Sequence, residues 1–392
     1  MKILIKKIVV TLILLPFSLC YGSSQYNSLQ KFVNKEKDQF NLPGLSLSIL
    51  LPNQSSAITF TAGTRSTIGK TAIDSNSLFQ VGSVTKTFTA LLLAREINNK
   101  HIRLSDKLGK YFPEYPKWKN ITIEQLVNQT SGIFDYIRSP GWWQKVYAQD
   151  TWQAHELVNI AYKRSNDFSP GTAWRYSNTN YVLLGMILEK LAKQPVEKVM
   201  KDLFDTVALK HTYYLISPYP QNIMEKMAHG YWQNAGQRVD RTAINGSWIQ
   251  AAGAIVSTTH DLTRWEKYFY NSRIPFHWLD TRTGKTLNSF NGIGYSFGSF
   301  RMNTPEGLVW FTPGLTTGYT SMIVYVPCLD VYFSYSTNLA PMSNFHQEMI
   351  LGVLHELKSN QQFINLIHQH VVPPDYCSKL KPAKEFEFPT IG

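Results

Sequence analysis

The sequence predicts an α+β fold: an antiparallel sheet flanked by N- and C-terminal helices, with an all-helical lobe inserted between them and a cleft where the two meet. Three observations carry this expectation. Short runs rich in β-branched and aromatic residues occur near the start of the chain and again after residue 292. The stretch between them is dominated by helical spacing, broken at Pro/Gly turns. A helical pattern precedes the first strands and another follows the last. One sheet built from both ends of the chain, with the helical middle inserted, is the economical assembly of such a pattern. Ligand sites favour the groove between two such parts.

The elements follow in order. Residues 1–22 hold Lys2, Lys6 and Lys7, then an apolar run over 8–19 and small residues at Gly22 and Ser23. This reads as a secretory signal peptide, because the run is short of the ~20 residues a membrane-spanning helix needs. Cys20 invites a lipoprotein reading, but the large Leu19 precedes it where a small residue is wanted. The expectation is an exported protein, periplasmic or secreted, whose folded domain covers 23–360. Residues 25–40 then place Leu29, Phe32, Val33 and Phe40 at helical spacing, and NLPG (41–44) stops that helix. LSLSILL (45–51) and AITFTAG (57–63) read as strands around the turn PNQSS. Gly82 introduces a helix running to Asn98, and further helices are expected over 122–128, 152–163 and 178–191. After Gly292, IGYSFGSF, GLVWFT, YTSMIVYVP and DVYFSYS predict an antiparallel meander. A helix over 343–357 closes it, and 361–392, with VVPPD and KPAKEF, reads as a loosely ordered tail.

Composition narrows the function classes. The 392 residues are 43% hydrophobic and 17% charged, ample for a large core. Removal of the three leader lysines takes the formal charge from +12 to +9. A basic exported protein can associate peripherally with an anionic envelope. There is no Lys/Arg run and no nucleic-acid motif, so nucleic acid is not expected as a partner. Cys328 and Cys377 remain in the mature chain, either bridged or as two thiols. The absence of a CxxC pair and of HExxH argues against a zinc site, and His368 and His370 read as surface residues. No metal or cofactor is expected.

One stretch carries chemistry. FQVGSVTKTFTALLLA (79–94) is apolar almost throughout, yet holds Lys86, and a lysine is rarely buried without a partner. Ser83 and Lys86 are spaced i, i+3, on one helix face. Ser83 sits just after Gly82 at the helix N-terminus, where free N–H groups favour an alkoxide or oxyanion. Burial would lower the lysine pKa, so Lys86 can take the serine proton or help another base do so. Ser-x-x-Lys occurs three times, at Ser28/Lys31, Ser83/Lys86 and Ser378/Lys381, but only the second lies at a Gly-preceded helix start in an apolar run. An N-cap serine beside a snorkelling lysine is the plain alternative. Two further segments favour chemistry. SPGTAWRYSNTNYVLLG holds the chain's one Tyr-x-Asn. Its Tyr176 is a candidate general base if a nearby cation such as Lys86 favours phenolate, and its Asn178 could fix an amide or cap the next helix. FTPGLTTGYTSMIVYVP places Gly314 and Gly318 on a strand, where glycine marks close approach of a ligand.

Together these segments resemble the class C β-lactamase and penicillin-binding family of serine hydrolases, which includes D-Ala-D-Ala carboxypeptidases and related esterases. SVTKTFTALLLA, IRLSDKLGKYFPEYP, ITIEQLVNQTSGIFDY, FSPGTAWRYSNTNYVLLGMILEKL, AAGAIVSTTHDLTRW and GLTTGYTSMIVYVP all look like family segments, in family order, over about 29–357. The resemblance implies a β-lactamase-like fold. It implies Ser83 as the acylated nucleophile, Lys86 as its hydrogen-bonded partner, Tyr176 as the general base that also protonates the leaving group, and Asn178 as the residue that orients substrate and Lys86. It implies an oxyanion hole from the backbone N–H groups of Ser83 and Leu315. The sequence departs from the family at the third motif, where Thr312-Pro313-Gly314 stands in place of a Lys/His–Thr/Ser–Gly triplet. Thr312 can hydrogen bond but carries no charge, which weakens anchoring of a substrate carboxylate. Gln129 also stands where a histidine is frequent in relatives.

Two readings compete. The first is an exported serine hydrolase acting through an acyl-enzyme on Ser83, on D-amino-acid peptide, amide or ester substrates, which are small molecules or cell-wall peptides. The second is a catalytically weak homologue that serves as a cell-wall peptide or protein binding scaffold. Retention of Ser83, Lys86, Tyr176 and Asn178 favours the first. The oligomeric state is open on sequence grounds.

Overall fold

The computed structural model describes residues 26–148, 151–272, 293–304 and 307–371. The expected signal peptide, Cys20, Cys377, Ser378/Lys381 and the end of the tail lie outside these residues.

Helix α1 (Asn27–Gln39) leads into strands β1 (Gly44–Leu50) and β2 (Ile58–Gly63). Strand β3 (Phe79–Gln80) and a 3-10 turn (Gly82–Val84) precede helix α2 (Thr85–Asn98). The helical middle holds α3 (Ile123–Val127), α4 (Trp142–Tyr147), α5 (Ala154–Tyr162), α6 (Asn178–Ala192) and α7 (Val196–Val207). Short elements follow: β4 (Tyr213–Tyr214), α8 (Gln221–Met224), β5 (Tyr231–Asn234), β6 (Gln237–Asp240) and β7 (Ile255–Ser257). After α9 (Thr259–Asn271) come β8 (Gly294–Ser296), β9 (Ser299–Thr304), β10 (Gly307–Leu315), β11 (Thr320–Val326), β12 (Val331–Thr337) and β13 (Leu339–Ala340). Two helices, Phe345–Ser359 and Gln361–His370, end the described chain.

The main sheet has seven strands in the order β2-β1-β12-β11-β10-β9-β8, and every neighbouring pair is antiparallel. The N-terminal hairpin therefore adds to the edge of the C-terminal meander, as the two-ended strand pattern predicts. Side chains alternate across this sheet. Leu45, Leu47 and Ile49 of β1, Met322 and Val324 of β11, and Phe333 of β12 pack in one core with Leu29, Phe32 and Val33 of α1 and with Phe345, Met349 and Val353. The intervening serines are buried too, because α9 covers the other face. Ser46 and Ser48 each lie 2.8 Å from the Thr259 hydroxyl, and Ser334 lies 2.8 Å from that of Thr263. Buried hydroxyls are tolerated when paired in this way.

Helix α2 explains its own composition. Every residue from Thr85 to Ala94 is buried, because α2 is enclosed by both the sheet and the helical lobe. It packs with α6, α7 and α9 in a second large core containing Phe88, Leu91, Leu184 and Trp265. A helix that is apolar all round is a buried helix.

The tail differs from the sequence expectation. Residues 361–370 form a helix whose Phe363 and Ile367 are buried, and Phe363 joins the core on the α1 side of the sheet. Their i, i+4 spacing offers one apolar stripe that a polar composition otherwise masks. Cys328 is disulfide-bonded.

Candidate active site

The 3-10 turn holding Ser83 depends on glycine at position 82. Gly82 has φ +52°, and a Cβ there would stand 2.7–2.8 Å from the backbone O and N of Leu315. Only glycine combines a left-handed backbone with so close an approach. The contact sets the start of α2 directly against the end of β10, so the backbones of Ser83 and Leu315 are brought together. Gly314 does the same from the strand side, where a Cβ would meet the carbonyl oxygen of Val81 at 2.0 Å. The close approach expected at Gly314 and Gly318 is thus made by the chain's own backbone. Gly318 lies not on a strand but in the turn between β10 and β11, and its neighbour is Gly230.

Ser83 is half-buried, and its Oγ receives two hydrogen bonds. Lys86 Nζ donates at 3.0 Å and the Tyr176 hydroxyl at 2.7 Å. Lys86 Nζ also donates to Asn178 Oδ1 at 2.8 Å and to the Ala252 carbonyl at 2.7 Å. The three donors of an ammonium are thereby satisfied, and the Nζ stands 4.8 Å from the centre of the Tyr176 ring. Tyr176 and Asn178 flank the start of α6, whose N-cap is Ser177. Asn178 is therefore free of capping duty and turns its amide inward. Gln129, with φ +63°, holds this segment: its Oε1 accepts from the Ser177 N–H at 3.0 Å and from Asn180 Nδ2 at 2.6 Å.

Electrostatics assign the proton carriers. Burial pushes the Lys86 ammonium down to about 7, against a raising influence from the Asp135 carboxylate. A lysine tuned to neutrality can accept a proton at physiological pH. Withdrawal from water holds the Tyr176 phenol well above its ordinary value, with Tyr295 adding to the shift and the Ser83 hydrogen bond opposing it. The phenolate that the sequence suggested is thus disfavoured, and Tyr176 stands as a protonated donor beside Ser83. Physically, burial disfavours the phenolate more than the Ser83 hydrogen bond favours it.

The seven sequence candidates divide accordingly. Ser83, Lys86, Tyr176 and Asn178 form one hydrogen-bonded cluster, and Gly314 and Leu315 abut it through Gly82. Thr312 is buried, and its hydroxyl donates to the Gly298 carbonyl at 3.0 Å. Gly298, φ +82°, in turn presses on the Lys86 backbone, where a Cβ would meet its carbonyl at 2.9 Å. Thr312 thus braces α2 through the turn between β8 and β9 and brings no charge to the cleft. Two contributors were not singled out from sequence. One is the Ala252 carbonyl, a backbone atom invisible to side-chain motifs. The other is Asp135, whose Oδ2 accepts from Asn178 Nδ2 at 3.0 Å. Both lie in segments that resembled the family, SGIFDY and AAGAIV, so the segments carried the signal but not the roles.

Known proteins share this chain's family and its fold. A family model described as Beta-lactamase matches residues 29–357. Penicillin-binding protein 4* of Bacillus subtilis (strain 168) is 27% identical over 276 residues, covering 65% of this chain. The match spans 59% of that relative's length. Among solved structures, a D-stereospecific amidohydrolase from Streptomyces sp. superposes with a TM-score of 0.72 at 25% identity, covering 83% of this chain and 99% of its own. The D-amino acid amidase from Ochrobactrum anthropi SV3, complexed with L-phenylalanine amide, gives 0.76 at 22% identity, with 86% and 99% covered.

Proposed function

The chain belongs to the beta-lactamase family, and from that premise we propose that it is a serine acyl hydrolase that opens D-amino-acid amides, peptides or esters through an acyl-enzyme on Ser83. The observation that carries this is the double hydrogen bond at Ser83 Oγ, 3.0 Å from Lys86 Nζ and 2.7 Å from the Tyr176 hydroxyl. Neutral Lys86 takes the Ser83 proton as Oγ attacks the substrate carbonyl. The oxyanion is held by the backbone N–H groups of Ser83 and Leu315, each such donor being worth ~10²–10³ in kcat. Tyr176, kept protonated, passes its proton to the departing nitrogen or oxygen and recovers one from Lys86. Water then adds to the acyl carbon and gives one proton to Lys86, and that proton returns to Ser83 Oγ as the C–O bond breaks and the acid leaves.

Thr312 sets the substrate range. Without a cation in the third motif, the site does not demand a carboxylate beside the scissile bond. Neutral amides and esters are therefore the preferred substrates. The amidases among the structural neighbours support this reading. Residues 1–22 form a cleaved export signal, so the reaction takes place outside the cytoplasm. N-terminal sequencing of the secreted or periplasmic protein is expected to start near Ser23 and not at Met1.

The test is steady-state hydrolysis of D-phenylalanine amide, its L enantiomer, p-nitrophenyl acetate and benzylpenicillin by wild type and Ser83→Ala. Turnover of the D-amide or the ester, lost in Ser83→Ala, is the expected result. No turnover of any of the four by folded protein would remove the proposal.

A further inference from the structure

Asn178 faces two ways. Its Oδ1 accepts from Lys86 Nζ at 2.8 Å, and its Nδ2 donates to Asp135 Oδ2 at 3.0 Å. An amide has one acceptor and one donor end. Which end meets the lysine is decided by what holds the other end. With a carboxylate at Asp135 only the NH₂ group can face it, so the carbonyl must face Lys86. Without that carboxylate the amide is free to rotate and set a donor against a donor.

Asp135 is itself fixed and nearly fully buried, 3% exposed. It precedes the 3-10 turn Tyr136–Arg138 and accepts from the Ile137 N–H at its start. Lys86 is the cation whose charge favours its carboxylate. Asp135 is in turn the carboxylate whose charge favours the Lys86 ammonium. The remaining groups that face the lysine are uncharged. Tyr176 and Tyr181 present their rings at 4.8 and 5.6 Å, Tyr295 of β8 bonds the Tyr181 hydroxyl, and the 250–252 turn offers the Ala252 carbonyl. Burial raises the Asp135 carboxyl to about 6, against the Asn178 hydrogen bonds and the Lys86 charge, so Asp135 and Lys86 are two titratable groups of one buried cluster, joined by one amide.

We propose that Asp135 is a positioning residue for the reaction: acting through Asn178, it fixes the amide with its acceptor toward Lys86 and is the counter-charge that raises the lysine's proton affinity against the effect of burial. The inference rests on the hydrolase reading above. The two jobs separate by substitution. Asp135→Asn keeps an acceptor for Asn178 Nδ2 but removes the charge, whereas Asp135→Ala removes both.

The experiment follows Lys86 directly and by kinetics. The Lys86 side chain, labelled with ¹⁵N at Nζ, is titrated by NMR in wild type and Asp135→Asn, a readout that does not depend on turnover. The titration midpoint is expected to fall by about half a unit or more in Asp135→Asn, because the charge that favours the ammonium is gone. The acid limb of kcat/KM is expected to fall with it. In Asp135→Ala, kcat is expected to drop by up to ~10² with little change in KM, the cost of a misplaced catalytic group. Asp135→Asn is expected to recover most of that loss. An unmoved Lys86 midpoint in folded Asp135→Asn would overturn the inference even if the enzyme turns over normally. Equal loss in the Asn and Ala variants would also overturn it, by reducing Asp135 to a packing role. If Asp135→Ala does not fold, the Asp135→Asn midpoint decides alone. A midpoint that moves in a protein without hydrolase activity would instead uphold the pair and reject the reaction.

Discussion

Lys86 is tolerated inside an apolar helix because every donor it carries has an acceptor: Ser83 Oγ, Asn178 Oδ1 and the Ala252 carbonyl. The same burial that makes pairing compulsory lowers its pKa to about 7. A group that must be neutral to act becomes competent as pH rises through its pKa. The acid limb of kcat/KM is therefore expected near pH 7, with activity rising tenfold per unit below it, as measured by initial rates on a neutral ester. Lys86→Arg keeps the charge but cannot lose a proton. It is expected to lose ~10²–10⁴ in kcat, and near-normal rates in that variant would show that the lysine serves only as a charge. The i, i+3 relation of Ser83 and Lys86 was legible in the sequence because helix geometry is local. The partners supplied by Asp135 and Ala252 were not, since they lie 49 and 166 positions from Lys86 in the chain and only folding brings them in.

At the scale of elements, the site is a junction between the start of α2 and the end of β10, made possible by two glycines. The sequence placed glycine at both points, and it predicted a helix start after Gly82 and close approach of a ligand at Gly314. It could not say that the approaching group is backbone, at Leu315 and Val81, because that depends on the pairing of distant strands. Gly82→Ala is expected to cost more in acylation rate than in stability. The added methyl collides with the Leu315 backbone that helps shape the oxyanion hole, while most of α2 stays packed. A fall of ~10² or more in acylation with Tm lowered by only a few degrees is the expected outcome, read by stopped-flow acylation and calorimetry. The strands of the seven-stranded sheet were legible for the same local reason, as alternating or β-branched runs, whereas the short strands β3, β4, β5, β6, β7 and β13 were not singled out. Helices α7 and α9 were passed over, although Val196, Val199, Met200, Leu203, Phe204 and Val207 of α7 follow helical spacing. In α9 the polar side hides the pattern: its buried face includes Thr259, Asp261, Thr263 and Glu266. Its partners on the sheet are serine hydroxyls, so hydrophobic periodicity is the wrong signal there.

For the molecule as a whole, one sheet is shared by the two ends of the chain and covered on one face by helices from both ends. The other face carries α9, and beyond it the helical lobe brings Tyr176, Asn178 and Asp135 to α2. Order extends past the family match, which stops at residue 357. Phe363 is 1% exposed within the Gln361–His370 helix and joins the core of the α1 face. Phe363→Ala is expected to destabilise the fold by about 3–5 kcal/mol, seen as a lower denaturation midpoint, with kcat unchanged because the substitution is on the face of the sheet away from α2. The central claim is that Ser83 is an activated nucleophile, and intact-mass spectrometry tests it most directly. Mature protein is mixed with a fluorophosphonate and, separately, with benzylpenicillin, and the modified peptide is mapped, with Ser83→Ala as control. A single adduct on Ser83 from the fluorophosphonate, absent in Ser83→Ala, is the predicted result. Penicillin on Ser83 as well would extend the site to substrates that bear a carboxylate, despite Thr312. No adduct from either reagent on folded protein would contradict the claim and leave the cluster as the remnant site of a binding scaffold.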